Sequence, residues 1–246
     1  MPDEPATGSA LRYKRVLLKI SGEGFSGVGG SGIEPEDLER IAAQCVHVAG
    51  LGIQLAVVVG GGNFIRGKTF SAEGHIPRAT ADYMGMLATV LNGLALQETM
   101  EKLGQPTRVM SALPMNAVCE PFIRRRAIRH LEKGRAIIMV AGTGNPYFTT
   151  DTCATLRATE IQADVLLKAT KVDGIYTADP KRDPTATKYE TITYEEVIAR
   201  ELEVMDLEAF AMAKRQRLPL VVFNMNHPDA VARVLRGESI GTTISP

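Results

Sequence analysis

Two hydrophobic patterns alternate along the chain. Mainly apolar runs at 16–20, 53–59, 136–140, 164–169 and 220–223 are rich in Val, Ile and Leu, interrupted only by Lys19, Gln54, Asp164 and Lys168. Their length and composition predict strands, and the 53–59 and 136–140 runs are apolar enough to be buried on both faces. A shorter run at 107–110 also reads as a strand. Between the runs, apolar residues recur at helical spacing. Leu38, Ile41, Ala42, Cys45, Val48 and Ala49 form one such stripe, opened by Pro35 and closed by Gly50 and Gly52. A long helix is expected over about 79–103, stopped by Gly104. Shorter helices are expected over 121–133 and over 151–162, the last with Asp151 as a possible N-cap. Two short helices and the 220–223 strand complete the pattern.

Alternation of this kind predicts an α/β fold with a mostly parallel central sheet covered by helices on both faces, and such sheets bind ligands beyond the carboxyl ends of their strands. No repeat or linker divides the chain. The expected organisation is a disordered tail over 1–12 and one domain over 13–246.

Composition removes several function classes. Of the 246 residues, 45% are apolar and 23% charged, and 28 Lys plus Arg balance 28 Asp plus Glu. A zero net charge argues against a general nucleic-acid or membrane-surface binder. Cys45, Cys119 and Cys153 form no CxxC pair, which fits a reducing compartment and speaks against a disulfide framework or zinc ribbon. His47, His75, His130 and His227 are too scattered to suggest a metal site from spacing. No apolar run reaches the roughly 18 residues of a membrane span. Residues 1–10 carry Asp3 and Glu4 and no hydrophobic stretch, so no signal peptide is expected and a cytoplasmic location is.

The candidate chemistry lies where strands end. Three turns are rich in glycine: Lys19-Ile-Ser-Gly22, Gly60-Gly-Gly-Asn63 with Arg66 beyond it, and Gly142-Thr-Gly-Asn145. Glycine lets backbone N–H groups turn toward an anion, and Lys19 and Arg66 add full positive charges. One such turn is often only a sharp connection. Three in one α/β chain, two of them beside a cation, point to a site for two phosphorylated ligands. A GxSxG elbow and an HExxH pair are both absent from the sequence.

Together with Asp82-Tyr-Met-Gly-Met-Leu87, the continuation of the third loop to Asp151, and Lys168-Ala-Thr-Lys-Val-Asp-Gly-Ile-Tyr-Thr-Ala-Asp-Pro180, these loops resemble the bacterial uridylate kinases of the amino-acid-kinase superfamily, in order from about residue 13 to residue 244. The resemblance implies a three-layer αβα sandwich, phosphorylation of UMP by Mg-ATP in pyrimidine nucleotide (CTP) biosynthesis, a homohexamer, activation by GTP and inhibition by UTP. It assigns Lys19, Ile20, Ser21, Gly22, Gly62 and Arg66 to the ATP phosphates, and Thr170, Tyr176 and Asp179 to the adenosine end. It assigns Gly61, Asp82, Thr143, Gly144, Asn145, Pro146, Tyr147, Phe148, Thr149 and Thr150 to UMP. Mg²⁺ is expected on the ATP phosphates, with no direct protein ligand. The stretch 27–32 lies where the family's GTP response has been placed.

Transfer to a phosphate needs no general base, because the acceptor's second pKa is near ~6 and it is mostly a dianion at neutral pH. The obstacle is repulsion between two polyanions, so the expected catalytic groups are cationic, Lys19 and Arg66. Asp151 is a candidate to orient Lys19 or to hold Mg²⁺ through water, a role compatible with an N-cap. Lys168 reads equally as a phosphate contact and as a structural ion pair. Arg124, Arg125, Arg126 and Arg129 read first as a solvated helix face and second as an effector or subunit contact. Met84, Met86 and Met100 read as packing. Two alternatives stand beside the main reading: a related kinase acting on a carboxylate or carbamate, and a non-catalytic nucleotide sensor.

Overall fold

The protein is described by a computed structural model over residues 11–27, 30–65, 76–178, 180, 183–202 and 204–245. Its strands are β1 (Arg15–Ile20), β2 (Gln54–Val59), β3 (Thr107–Ser111), β4 (Glu120–Pro121), β5 (Ala136–Val140), β6 (Val165–Thr170), β7 (Thr191–Thr193), β8 (Leu220–Asn224) and β9 (Gly241–Ser245). They form one sheet in the order β4-β3-β5-β2-β1-β6-β8-β9-β7. Neighbours run parallel except β8 and β9, which are antiparallel. The helices are α1 (Pro35–Gly50), α2 (Arg78–Lys102), α3 (Arg124–Glu132), α4 (Thr150–Glu160), α5 (Tyr194–Ala199), α6 (Leu207–Arg215) and α7 (Ala230–Leu235).

The pleat sorts the apolar strand residues into two cores. Val16, Leu18 and Ile20 of β1 and Leu55, Val57 and Val59 of β2 pack with α1, α2 and α7. Leu17 of β1 and Ala56 and Val58 of β2 face the opposite layer, with α3, α4, α5 and α6. That alternation explains why apolar residues fill odd and even positions alike in these runs: the central strands are covered on both sides. The result is the expected αβα sandwich. The chain leaves β1 toward β2 on one side and reaches β6 on the other, so the carboxyl end of β1 sits at a switch point, where such sheets open a crevice.

Several sequence expectations are corrected. The helix expected over 121–133 begins only at Arg124, because Glu120–Pro121 pairs with β3 and Phe122 N–H donates to Ser111 O at 2.8 Å. The helix expected to be capped by Asp151 starts one residue earlier, with Thr149 as its N-cap. Beyond 223 the chain adds α7 and β9, and β7 completes the far edge. Residues 1–10 of the expected tail lie outside the described residues. Leu11 packs on the core and Arg12 N–H donates to Leu235 O at 3.0 Å. Among the described residues, no helix is long and apolar enough to cross a membrane.

Candidate active site

Lys19 and Lys168 stand side by side in adjacent parallel strands, paired in register. Two ammonium groups this close repel unless an anion separates them. The first turn of α4 supplies it. Asp151 Oδ1 lies 2.9 Å from Lys19 Nζ, and Asp151 Oδ2 accepts from Lys168 Nζ at 2.6 Å. Lys168 also donates to Val204 O. The side chains of Lys19, Lys168 and Asp151 are only 10%, 12% and 15% exposed. Burial pushes the Asp151 carboxyl up, but the two ammonium groups outweigh it and hold its pKa below the usual carboxylate value. A depressed carboxylate stabilises the fold in full above its unfolded value of about 3.8, and that contribution is lost as pH falls through the lower folded value.

Asp151 is held by its neighbours. Thr149 Oγ1 accepts from the N–H groups of Asp151 and Thr152, at 3.1 and 3.2 Å, which caps α4. The Thr149 hydroxyl in turn donates to Asp206 Oδ2, and Thr152 donates to Asp206 Oδ1 at 2.7 Å. Asp206 is itself the N-cap of α6, accepting from Ala209 N–H at 2.8 Å. One carboxylate thus ties two helix starts together behind the cluster. Its position before Leu207-Glu-Ala-Phe210 is a helix-start signal carried by the sequence.

Lys168 is depressed below the ordinary lysine value, chiefly by burial, with Asp151 opposing and Lys19 adding to the shift. A lysine with a lowered pKa loses its charge sooner as pH rises. The alkaline limb of kcat should therefore have a midpoint below the ordinary 10.5. A kcat–pH profile measured to high pH checks this, and a limb no lower than the ordinary lysine value would contradict it.

Two cavities flank this cluster and meet at Ser21, which lines both. The larger, of about 420 Å³, takes in Lys19, Ile20, Lys168, Thr170, Lys171 and Val172, and is closed by Arg40, Ile41, Met225 and Asn226. Thr170 Oγ1 donates to Val172 O at 2.7 Å and shapes this wall. The smaller, of about 240 Å³, is lined by Gly22, Gly61, Gly62, Asp82, Thr143, Phe148, Thr149 and Thr150. The first two glycine loops interlock beside it: a Cβ on Gly22 would lie 2.4 Å from Gly62 N, so only glycine permits this approach.

Asp82 sits in the second turn of α2. Its Oδ1 accepts from Arg78 Nε and its Oδ2 from Tyr147 N–H, both at 2.8 Å. A carboxylate has about four acceptor positions, so capacity remains for a ligand's hydroxyls. The bond to Tyr147 also fixes the third loop, where Tyr147 adopts φ +73° and is 68% exposed, with the Arg78 guanidinium 6.0 Å from its ring centroid. Thr143 Oγ1 accepts from Asn145 N–H at 3.2 Å and is likewise turned into the loop. Gly144 and Asn145 lie in the same loop, and Pro146 is half-buried there.

The expected donor-side and acceptor-side residues fall on opposite sides of Ser21, with some exceptions. Gly22 and Gly62 were matched to ATP but line the smaller cavity. Tyr176 is half-buried, bridged to Lys188, and does not line the larger cavity. Arg66, Asp179 and His75 lie outside the described residues. Arg40, Lys171, Met225 and Asn226 were not anticipated. A charged residue on the stripe face of α1 gives no sign in sequence of which strand end it overlooks.

Among the described residues, no group of three or more His, Cys, Asp or Glu side chains could hold a metal ion. Asp151 Oδ1 is buried without an aligned hydrogen-bond donor, the Lys19 contact being an ion pair off the hydrogen-bond direction.

Residues 14–224 match the model of the amino acid kinase family. A uridylate kinase of Xanthomonas oryzae pv. oryzae is 55% identical over 236 residues, 96% of this chain and 98% of that protein, and one from Xanthomonas euvesicatoria pv. vesicatoria matches to the same extent. Among solved structures, UMP kinase from Bacillus anthracis superposes with a TM-score of 0.92 at 39% identity, covering 95% of this chain and 96% of that one. UMP kinase from Ureaplasma parvum superposes with a TM-score of 0.90 at 36% identity, covering 96% of this chain and all of that one, 100%.

Proposed function

The chain belongs to the amino acid kinase family and, within it, to the uridylate kinases; from that premise we propose that it moves the γ-phosphate of Mg-ATP in line onto the phosphate of UMP, giving UDP and ADP. It is an enzyme, a kinase acting on UMP. The observation that carries the finer reading is the junction at Ser21, where two cavities meet beside buried lysines held by one aspartate.

In this reading ATP occupies the larger cavity and UMP the smaller, phosphate toward phosphate. Two unit charges about 4 Å apart interact by roughly 4 kcal/mol at an effective dielectric near 20, so several such pairs would prevent approach without counter-charge. Lys19 faces the transferring group and offsets part of that repulsion, and Asp151 orients it. Arg66 is assigned to the same task by its place in the sequence. Mg²⁺ arriving with ATP would supply further positive charge between the β- and γ-phosphates. The loop N–H groups at Gly22 and Gly61 hold phosphate oxygens. Thr149 and Thr150 contact the acceptor end, and Asp82 accepts from the ribose hydroxyls.

Asp82→Asn should mainly raise KM for UMP, by about tenfold, with little change in KM for ATP. Steady-state kinetics in both substrates checks this; an unchanged UMP KM would remove Asp82 from the acceptor site.

The wider reading follows the family resemblance: activation by GTP, inhibition by UTP, a homohexamer, and a cytoplasmic place in pyrimidine nucleotide synthesis. Assembly has support on the surface. Tyr83, Leu87 and Leu91 repeat every fourth residue along the outer side of α2 and are 41%, 50% and 51% exposed. A stripe of this kind favours cover by another copy. A coupled Mg-ATP assay across the nucleoside monophosphates, with and without GTP and UTP, tests the whole reading. UDP formed preferentially from UMP supports it, and ATP and UMP binding without UDP would support a sensor instead.

A further inference from the structure

Helix α2 presents two buried polar side chains one turn apart, and each grips a different loop of the site. Asn92 is 0% exposed. Its amide donates to Gly60 O at 2.7 Å and to Asn63 Oδ1 at 2.8 Å. Asn63 Nδ2 donates back to Asn92 Oδ1 at 2.9 Å and onward to Gly32 O at 2.7 Å. Each amide has two N–H bonds, and all four are used within this set. Gly32 N–H closes it by donating to Asn63 O at 3.1 Å. The second glycine loop is thereby fastened to α2 on one side and, on the other, to Gly32 in the segment that leads into α1.

One turn earlier, Thr89 is 2% exposed. Its Oγ1 accepts from Ala141 N–H at 2.7 Å and donates to Met86 O at 2.6 Å, which fixes the start of the third loop. Gly93 lets the helix come near enough for both grips: a Cβ there would lie 2.4 Å from Val140 Cγ1. Asn63 and Asn92 line neither cavity, whereas Thr89 borders the smaller one. Whatever the two asparagines do for a ligand, they do through the loops.

We propose that Asn92, Asn63 and Thr89 are positioning residues for phosphoryl transfer: through α2 they fix the second and third loops relative to each other, and so set the gap between the two phosphates. The inference rests on the phosphotransfer reading above. Reacting atoms must be held within about 3–3.5 Å, and a misplacement of about 1 Å can cost on the order of a hundredfold in rate. Three hydrogen-bonding side chains on adjacent turns of one rigid helix are suited to that tolerance.

The test measures kcat, both KM values and Tm for Asn63→Leu, Asn92→Leu, the double variant, Thr89→Val and Thr89→Ser, each assayed well below its own Tm. Each Asn single variant leaves a buried amide unpaired and lowers Tm; removing both restores part of it, the Gly60 and Gly32 carbonyls still lacking their donors. The expected result is that the double variant has a Tm above either single variant yet keeps a kcat at least about tenfold below wild type. Thr89→Val should lose about tenfold in kcat, and Thr89→Ser, which keeps the hydroxyl, should stay within about threefold of wild type. A double variant that regains kcat along with Tm would overturn the proposal, as would a folded Thr89→Val with wild-type kcat. Wild-type protein run beside them separates the two claims: no UDP there counts against the phosphotransfer reading itself, whereas wild-type UDP formation with undiminished kcat in the variants counts against the loop-setting role.

Discussion

Lys19→Ala should lower kcat by on the order of a hundredfold or more, about 2.7 kcal/mol of transition-state stabilisation, while KM for UMP changes little. The reason lies in where the ammonium sits. Lys19 emerges from the last turns of a buried strand, is 10% exposed, and borders Ser21, where the two cavities meet. Its charge gains most when negative charge is shared between the two phosphates, and less in the ground state. The substitution also leaves Asp151 with Lys168 alone, a pairing that still neutralises the carboxylate. Folding should therefore survive, and the kinetic loss can be read without correction for unfolding. A loss confined to KM would remove Lys19 from the transferring group.

Asp151→Asn should be the more damaging change overall. It removes the one carboxylate between two buried ammonium groups, and breaking a buried pair by deleting one partner costs about 3–5 kcal/mol. In a chain of this length that corresponds to a Tm lower by on the order of 10 °C. Activity should fall by at least about a hundredfold even where the variant is folded, because Lys19 is no longer oriented. The double variant Asp151→Asn/Lys168→Met, read against Lys168→Met alone, separates the two effects. With one cation removed as well, Tm should return toward wild type, while kcat should stay low. Differential scanning calorimetry beside single-turnover kinetics measures both. Recovery of kcat in the double variant would mean that Asp151 contributes stability and nothing more.

Much of the scaffold was legible because its signals are local. The run at 136–140 is apolar throughout and that at 16–20 is apolar but for Lys19, and both became strands covered on two faces, β5 with the bounds expected. The long helix was bounded by Gly104 and ends at Lys102. The C-terminal part was less legible. Gly241–Ser245 is rich in threonine and gains its strand character from pairing with β8, where Val221 lies opposite Thr243, a partner that no short window reveals. The cap of α4 was misplaced by two residues because Thr149, Thr150 and Asp151 are all residues that can cap, and local sequence does not choose among them.

The site was legible in its cations and loops and much less so in its supports. Glycine turns beside Lys19 announce anion chemistry by composition alone. The partnership of Lys19 with Lys168 depends on strand register, and so Lys168 stayed open between phosphate contact and ion pair until β1 and β6 were seen side by side. Its bond to Asp151 places it in an ion pair and leaves its ammonium beside the donor cavity as well. Asn92 gave no signal at all. A single amide within a helix that is otherwise apolar on that face reads as an ordinary surface position, and its four-bond exchange with Asn63 and two loop carbonyls exists only in three dimensions.

The most direct measurement is a crystal structure with UMP and a non-hydrolysable ATP analogue bound together. The account expects the two phosphate chains to meet at Ser21, with Lys19 Nζ within hydrogen-bonding distance of the γ-phosphate and Asp151 still between the two lysines. Phosphates lodged away from Ser21, with Lys19 turned from both, would contradict it.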